Sequence, residues 1–461
     1  MSAGPAVIGL DALGPSGAYR SRTTERVDDV AGRHVADLSL VPSLFVQRAM
    51  RALRRAQPPP PERRRAILAA AGALFATGTV GGLTVDEYRH RVARVSGLPI
   101  SAVRRTTEHL GDYAAQASDA SGQARPTGAA ADWRAAATPN GGGVWTRRGD
   151  VLAVHAPANT PAIHTAWLDA VALGYRVAVR PSRREPFTAH RLVLALREAG
   201  LGGDQAVLLP TGHSTAGAVI SAADLAIAFG GDQVTRKYGG TAVLSQGPGR
   251  SKILIADGED PARHLDLIVE SVADQAGTGC VNATAVFVEG DPLPLAEALA
   301  DRLGRLRPLP PEHAEATLPV KSLGEARAVD DYLRSAAGGA KGLLGGAGVS
   351  ADLGDGSASL TPAVFVVEHA GAPQLRVELG FPCVWVAPWR RSDGIGPLSE
   401  TLVLTAVTED ENLIRELVGE PGIANVYIGP IPTTWTRPGL PHDGYLGEFL
   451  MRSKSFARTG K

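Results

Sequence analysis

Short, unbroken apolar runs alternate with amphipathic stretches over most of the chain. Val151-Leu-Ala-Val154, Arg176-Val-Ala-Val-Arg180, Ala206-Val-Leu-Leu209 and Leu225-Ala-Ile-Ala-Phe229 read as strands. Pro161 to Gly174 and Thr188 to Ala199, between them, read as helices. Strands of this buried type, alternating with helices, predict a parallel sheet covered on both faces. A second alternating series runs from Ile253 to about Val426, with strands at Thr284–Glu289, Ala363–Val367, Cys383–Ala387 and Leu402–Val407. Within it, Pro261 to Ala276 carries Leu265, Ile268, Val269 and Val272 at helical spacing. Ala337 to Ser359 is glycine-rich and reads as a surface loop with short strands.

The N-terminal part has another texture. Residues 1 to about 40 have scattered Gly and Pro and are expected to be mostly irregular. Ser43 to Arg55 reads as a helix, as does Glu62 to Thr77, whose Ile67, Leu68, Ala71, Leu74 and Phe75 share one face. Thr84 starts a third helix, with Asp86 and Glu87 in a first turn where the helix dipole favours acids, and Ser101 is the expected cap of a fourth. Ala117 to Gly143 is an expected linker. The expected organisation is therefore an N-terminal helical region over 1–117, one α/β domain over 144–252, a second over 253–426, and a return segment over 427–461 lying on another domain or subunit.

Composition narrows the partners. The 461 residues carry 47 basic and 47 acidic side chains, with 44% hydrophobic and 20% charged. Zero net charge gives no reason to expect nucleic acid or an anionic membrane. No apolar run reaches the length of a membrane span, and the N-terminus lacks the pattern of a signal peptide. Two cysteines cannot build a disulfide framework, which fits a reducing, cytoplasmic setting. No His/Cys cluster has metal-ligand spacing, so no metal is expected.

Candidate chemistry centres on Asp274-Gln-Ala-Gly-Thr-Gly-Cys-Val-Asn282. Gly277 and Gly279 precede Cys280, and glycines let the backbone bend and another group come close. A thiol on such a loop, between a helix and a strand, is either a nucleophile for a carbonyl carbon or an ordinary buried cysteine. Cys383, inside an apolar run after Pro382, reads as structural.

Five segments in order resemble the aldehyde dehydrogenase superfamily over roughly residues 144 to 450. They are Val154-His-Ala-Pro-Ala-Asn-Thr-Pro161, Val177-Ala-Val-Arg-Pro-Ser182, Leu209-Pro-Thr-Gly-His-Ser-Thr-Ala-Gly-Ala218 followed by Ala228-Phe-Gly-Gly-Asp232, the Cys280 loop, and Glu378-Leu-Gly-Phe-Pro382. The resemblance implies an α/β fold with a Rossmann-type cofactor-binding domain, a catalytic domain carrying Cys280, and assembly as a homo-oligomer. It implies that Cys280 attacks a carbonyl carbon while the Asn159 amide and the Cys280 N–H hold the oxyanion. One such donor is typically worth about 3 kcal/mol. It also implies that Gly217, Gly231 and Asp232 line the nicotinamide cofactor path and that Glu378 holds a ribose. Asn159 has a plainer reading as a turn residue, and Glu378 as a surface carboxylate.

The departures from the family pattern shape the expected reaction. Gln246 stands 34 residues before Cys280, where the family has its glutamate base. A glutamine amide cannot take a proton from water at neutral pH. Slow hydrolysis suits a reductase, and the missing base together with the long helical N-terminal region resembles the acyl-CoA reductase branch, which includes the fatty-acyl reductase of bacterial luminescence. The expectation is NAD(P)H-dependent reduction of an acyl thioester to an aldehyde. Acyl-CoA or an acyl-carrier protein would be the donor, with an activating ligase as a further partner. Two alternatives stand beside it: NAD(P)+-dependent oxidation of an aldehyde with another base, and a catalytically silent scaffold. In the family the Arg176–Arg180 strand end meets the adenosine ribose. Arg180, Ser182 and Arg183 there imply NADPH over NADH, because guanidinium groups pair with a 2′-phosphate. The plainer reading sends Arg183 and Arg184 into solvent.

Overall fold

The computed structural model describes residues 6–230, 242–256 and 258–459. Its two large sheets are built from the strands the apolar runs predict. The first sheet has the spatial order Val243–Gln246, Leu225–Phe229, Val151–His155, Arg176–Arg180, Ala206–Leu208, Ala12–Gly14 and Gly17–Tyr19. Its first five strands are parallel, and Ala12–Gly14 joins antiparallel to Ala206–Leu208. Alternation along each strand feeds two cores. Leu152, Val154, Val177 and Val179 face Leu68, Phe75, Trp167 and Leu192. Val151, Ala153, Ala178 and Val207 face Val46, Met50, Leu53 and Val219. Both faces are thus covered by helices, which is why these strands lack polar alternation.

The second sheet orders Lys341–Leu344, Ala363–Val366, Cys383–Trp389, Ala283–Glu289, Ser251–Ile255, Thr401–Val407 and Ile423–Ile428. All its pairings are parallel except that of Lys341–Leu344. The α/β class and the two parallel sheets are as expected. Cys383 lies buried in this sheet, and burial pushes its thiol up to about 12.

Connectivity positions the site. In the first sheet, chain order reverses beside Val151–His155, whose neighbours are Arg176–Arg180 and the later Leu225–Phe229. Open α/β sheets bind ligands beyond the strand ends at such a reversal. From Gln246, at the carboxyl end of the first sheet, the chain needs only Gly247, Pro248, Gly249 and Arg250 to enter Ser251–Ile255 of the second. The carboxyl edge of one sheet therefore meets the amino edge of the other.

The N-terminal expectations need correction. Residues before Ser43 are not irregular: they form strands Ile8–Leu10, Ala12–Gly14, Gly17–Tyr19, Thr24–Asp28 and His34–Ser39. Each is three to six residues long, too short to show a period, and they pair with one another, with only Ala12–Gly14 reaching a distant strand. Helices follow at Ser43–Arg55, Pro61–Thr77, Val85–Ser96 and Ile100–Gly122. Thr84 caps the third with a capping box, whereas Ser101 lies inside the fourth and donates to the Ala316 carbonyl (3.3 Å). Residues of 1–117 share one core with those of 144–252, so the N-terminal region is packed into the first α/β unit. In the tail, Met451–Phe456 pairs antiparallel with Gly142–Arg147. Among the described residues no helix is long and apolar enough to cross a membrane.

One buried acid in the helical layer gives a stability prediction. Tyr113 of Ile100–Gly122 donates its hydroxyl to Asp169 of Thr165–Ala172 (2.8 Å). Burial raises the Asp169 carboxyl to about 7, although the Tyr113 bond pulls the other way. As pH rises, the unfolded chain loses this proton first, so the folded state loses stability up to the folded value. The parent should therefore lose stability between about pH 4 and pH 7, on the order of a few kcal/mol, relative to Asp169→Asn. Denaturant melts of both proteins across that range check it; a gap that does not change with pH contradicts it.

Candidate active site

Cys280 sits at the amino edge of the second sheet, between helix Leu265–Ala273 and strand Ala283–Glu289. The sequence predicts an uninterrupted helix to Ala276, but the helix stops earlier. Gln275 (φ 48°), Ala276 (φ 64°) and Gly277 (φ 65°) are left-handed in succession. A non-glycine residue in that region costs roughly 1–3 kcal/mol and persists only where its surroundings enforce it.

The enforcement is visible. Buried Asn282 donates to the carbonyls of Ser271 (3.1 Å) and Asp274 (3.0 Å) and accepts from Gly279 N–H (2.8 Å), which pins both limbs of the loop. Arg105 pairs with Asp274 (2.7 Å). Ser251 Oγ donates to the Cys280 carbonyl (2.9 Å). Two glycines allow closer backbone contact than any side chain would. A Cβ on Gly249 would lie 1.8 Å from the Cys280 carbonyl oxygen, and one on Gly277 would lie 2.5 Å from Pro382 N. The Gln246–Arg250 connection and the Glu378–Pro382 segment are thereby both packed on the Cys280 loop.

Cys280 is half-buried, and its Sγ lies 3.5 Å from His442 Nε2. The other ring nitrogen of His442, Nδ1, is 3.5 Å from Asp443 Oδ1. Asn425, on strand Ile423–Ile428, donates to the carbonyls of Leu402 (2.8 Å) and His442 (2.7 Å) and ties the tail to the sheet. Burial pulls the His442 imidazole down, but its bonds to Asp443 and Cys280, with their charges, outweigh burial and hold it well above the usual histidine range. Neither His442 nor Asp443 is anticipated from the sequence. The available signal is a His-Asp pair framed by Pro441 and Gly444 in a stretch otherwise read as a return segment.

The expected site residues are placed as follows. Asn159 is exposed just past Val151–His155, at the reversal point, and its amide makes no hydrogen bond among the described residues. Gln246 ends its strand beside Phe229, half-buried. The Glu378 carboxylate accepts the Arg250 N–H (2.5 Å). Burial raises this carboxyl against the lowering effect of the Arg250 and Gly249 N–H groups. Gly217 is exposed in the middle of helix His213–Ser221, with open space where a Cβ would stand. Gly231 and Asp232 lie outside the described residues. The ribose-side cations all have partners. Arg180 donates to Thr211 Oγ1 (2.8 Å) and its carbonyl (3.1 Å), and Ser182 Oγ accepts the Arg184 N–H (3.1 Å). Arg183 pairs with Glu25 (2.6 Å) and contacts His213, while Arg184 pairs with Glu325 (2.8 Å).

The sequence profile of the aldehyde dehydrogenase family matches residues 18–395, most of the chain. The chain belongs to the aldehyde dehydrogenase family. It is similar to malonate-semialdehyde dehydrogenase 2 of Bacillus mycoides (strain KBAB4), 26% identical over 163 residues, and to malonate-semialdehyde dehydrogenase 3 of Geobacillus kaustophilus (strain HTA426), 27% identical over 163 residues. Each match covers 33% of this chain and spans 33% of the relative's length. Among solved structures, indole-3-acetaldehyde dehydrogenase complexed with NAD+ superposes with a TM-score of 0.81 at 18% identity, covering 97% of this chain and 96% of that one. Aldehyde dehydrogenase 21 from Physcomitrella patens, in complex with the product succinate, gives a TM-score of 0.81 at 17% identity, covering 98% of each chain.

These comparisons support an oxidoreductase fold of this family and overturn the expectation of acyl-thioester reduction. The relatives just named are dehydrogenases of aldehydes or semialdehydes, and nothing in the comparisons points to the acyl-CoA reductase branch. The missing carboxylate at position 246 and the helical N-terminal region carried that expectation, and neither an absent base nor an added layer of helices sets the direction of a redox reaction.

The Gly249 contact gives a direct test. Gly249→Ala must push the loop or the connection aside, since its neighbour is backbone. We expect a loss of roughly 2 kcal/mol or more, together with a changed alkylation rate of Cys280. Thermal melts and thiol labelling check this; a variant matching the parent in both contradicts the packing.

Proposed function

We propose that the protein oxidises an aldehyde to its carboxylic acid, with a nicotinamide dinucleotide as hydride acceptor, through an acyl group carried on Cys280. The observation that carries this is the half-buried Cys280 thiol, held on an enforced loop against an imidazole, in a chain of the aldehyde dehydrogenase family. Sγ forms a bond to the aldehyde carbon, and the carbonyl electron pair moves onto oxygen. The exposed, unbonded Asn159 amide and the Cys280 N–H are the donors for that oxyanion. A bound dinucleotide supplies the hydride acceptor. Water then displaces Sγ from the thioester, which releases the acid and restores the thiol.

The residues at the first sheet's carboxyl edge fit such a cofactor. An exposed glycine in mid-helix costs about 1 kcal/mol relative to alanine, and Gly217 leaves a flat, open surface there on which a planar ligand can rest. Glu378 is the carboxylate for a ribose, exchanging its bond to Arg250 N–H for sugar hydroxyls. The arrangement favours NAD+ over the phosphorylated form. Arg183, the cation that would meet a 2′-phosphate, is already balanced by Glu25, and Arg180 is committed to Thr211. A phosphate would have to compete with a carboxylate in place, whereas a ribose hydroxyl meets no such competitor.

The decisive assay mixes the protein with NAD+ and a panel of aldehydes and follows reduced nicotinamide and free acid. Parent protein should yield both in equal amounts. Cys280→Ala should yield neither while keeping its melting temperature. No product from any aldehyde, alongside consumption of NADH with an acyl thioester, would overturn the proposal.

The cofactor reading makes a separate prediction. Glu25→Gln frees Arg183 and should raise kcat/KM for NADP+ relative to NAD+ by roughly tenfold. A parent that already prefers NADP+, or a ratio unmoved by the substitution, sinks this reading.

A further inference from the structure

We propose that His442, oriented by Asp443, is the catalytic base of this protein: it takes the Cys280 proton and then a proton from the water that releases the acyl group. This deepens the reading above, which leaves the source of the base open, and it rests on that reading for the acyl group.

Elimination and geometry both lead to His442. The position expected to hold a carboxylate is Gln246, whose amide has no basicity to offer. The acids packed around the loop have other proposed or observed roles: Glu378 is the ribose carboxylate of the reading above. Glu378 accepts the Arg250 N–H, and Asp274 is paired with Arg105. Lys252, which follows the serine bonded to the Cys280 carbonyl, is buried and pulled down to about 8 by that burial, yet its Nζ donates to the Ser399 carbonyl. Among the described residues, His442 alone has a ring nitrogen at hydrogen-bond distance from Sγ, with a carboxylate on its other nitrogen. A nucleophile, a base within reach and a third group orienting the base form a general arrangement for activating a thiol. The titratable groups acting on the imidazole are Cys280 and Asp443; the Asn425 amide, from the neighbouring strand, is neutral and holds the His442 backbone.

The proton steps balance. The Cys280 S–H proton passes to Nε2, leaving a thiolate and an imidazolium held together by their charges. After the acyl group is on Sγ, the imidazolium gives its proton to solvent. The neutral ring then accepts a proton from water as the water oxygen bonds to the acyl carbon. The C–S bond breaks, its electron pair returns to sulfur, and the acid leaves. The thiolate and imidazolium are restored.

The test needs neither dinucleotide nor aldehyde. Parent, His442→Asn, His442→Gln and Asp443→Asn are alkylated with iodoacetamide at about pH 7 and about pH 10. They are then acylated with p-nitrophenyl acetate, and nitrophenol release is followed through burst and steady state. Removing the imidazole should slow alkylation at least ~tenfold near neutrality and leave it unchanged near pH 10, where an ordinary accessible thiol ionises without a base. The steady state after the burst should fall by ~100-fold, so that acetyl-Cys280 accumulates and is seen by intact mass. Asp443→Asn should lower both rates by a smaller factor, about threefold or more. About half of the His442 side chain is exposed, 48%, so its replacement should change the melting temperature little, and His442→Gln gives a second, larger amide should the Asn variant fold poorly. Alkylation and deacylation within about twofold of the parent in both His442 variants overturn the proposal. If the base effects appear but no aldehyde is oxidised, the proposed function fails and the role of His442 stands.

Discussion

The close approach of Gly249 to the Cys280 carbonyl is the contact on which the site depends. It is backbone against backbone, so neither partner can move aside the way a side chain could. It fixes the approach to Ser251–Ile255 against the approach to Ala283–Glu289, two and three residues before their pairing begins at Ser251 and Ala283. The same connection is the shortest covalent path between the two sheets. A thiol anchored there is placed relative to the carboxyl edge of the first sheet, where a dinucleotide would lie. The left-handed run Gln275–Gly277 is tolerable because Asn282, Arg105 and the Phe381–Pro382 backbone close over it.

Electrostatic balance is achieved by residues far away in sequence. Glu25, from an N-terminal strand, neutralises Arg183. His442, from the tail, reaches Sγ. The ends of the chain thus finish a site whose frame is set by the middle, and the ligand preference and thiol reactivity proposed here both sit in those ends.

This explains what could be read from the sequence alone. Strands such as Arg176–Arg180 and Leu225–Phe229 are buried on both faces, and that burial writes an unbroken apolar run. Cys280 is legible because two glycines flank it: Gly277 lies against the Phe381–Pro382 backbone, and Gly279 lies beside the Asn282 side chain. The strands before Ser43 are not legible, since each is only three to six residues long and shows too little of the sheet period to stand out. Nor are the ion pair of Arg183, 158 residues from Glu25, or the Cys280–His442 contact, across 162 residues. A side chain's partner over such a separation leaves no local pattern. Reading Gln246 as a sign of reductive chemistry erred for a related reason: a single position was made to set the direction of the reaction, while the Cys280–His442 contact leaves no mark there.

The central claim is that Cys280 carries the acyl group during aldehyde oxidation. Rapid quenching of parent protein mixed with an aldehyde and NAD+, followed by intact mass and peptide mapping, tests it most directly. The account predicts a transient gain equal to the aldehyde less two hydrogens, mapped to Cys280 and absent without NAD+. Reduced nicotinamide formed with no such adduct, or an adduct mapped to any other residue, would contradict it.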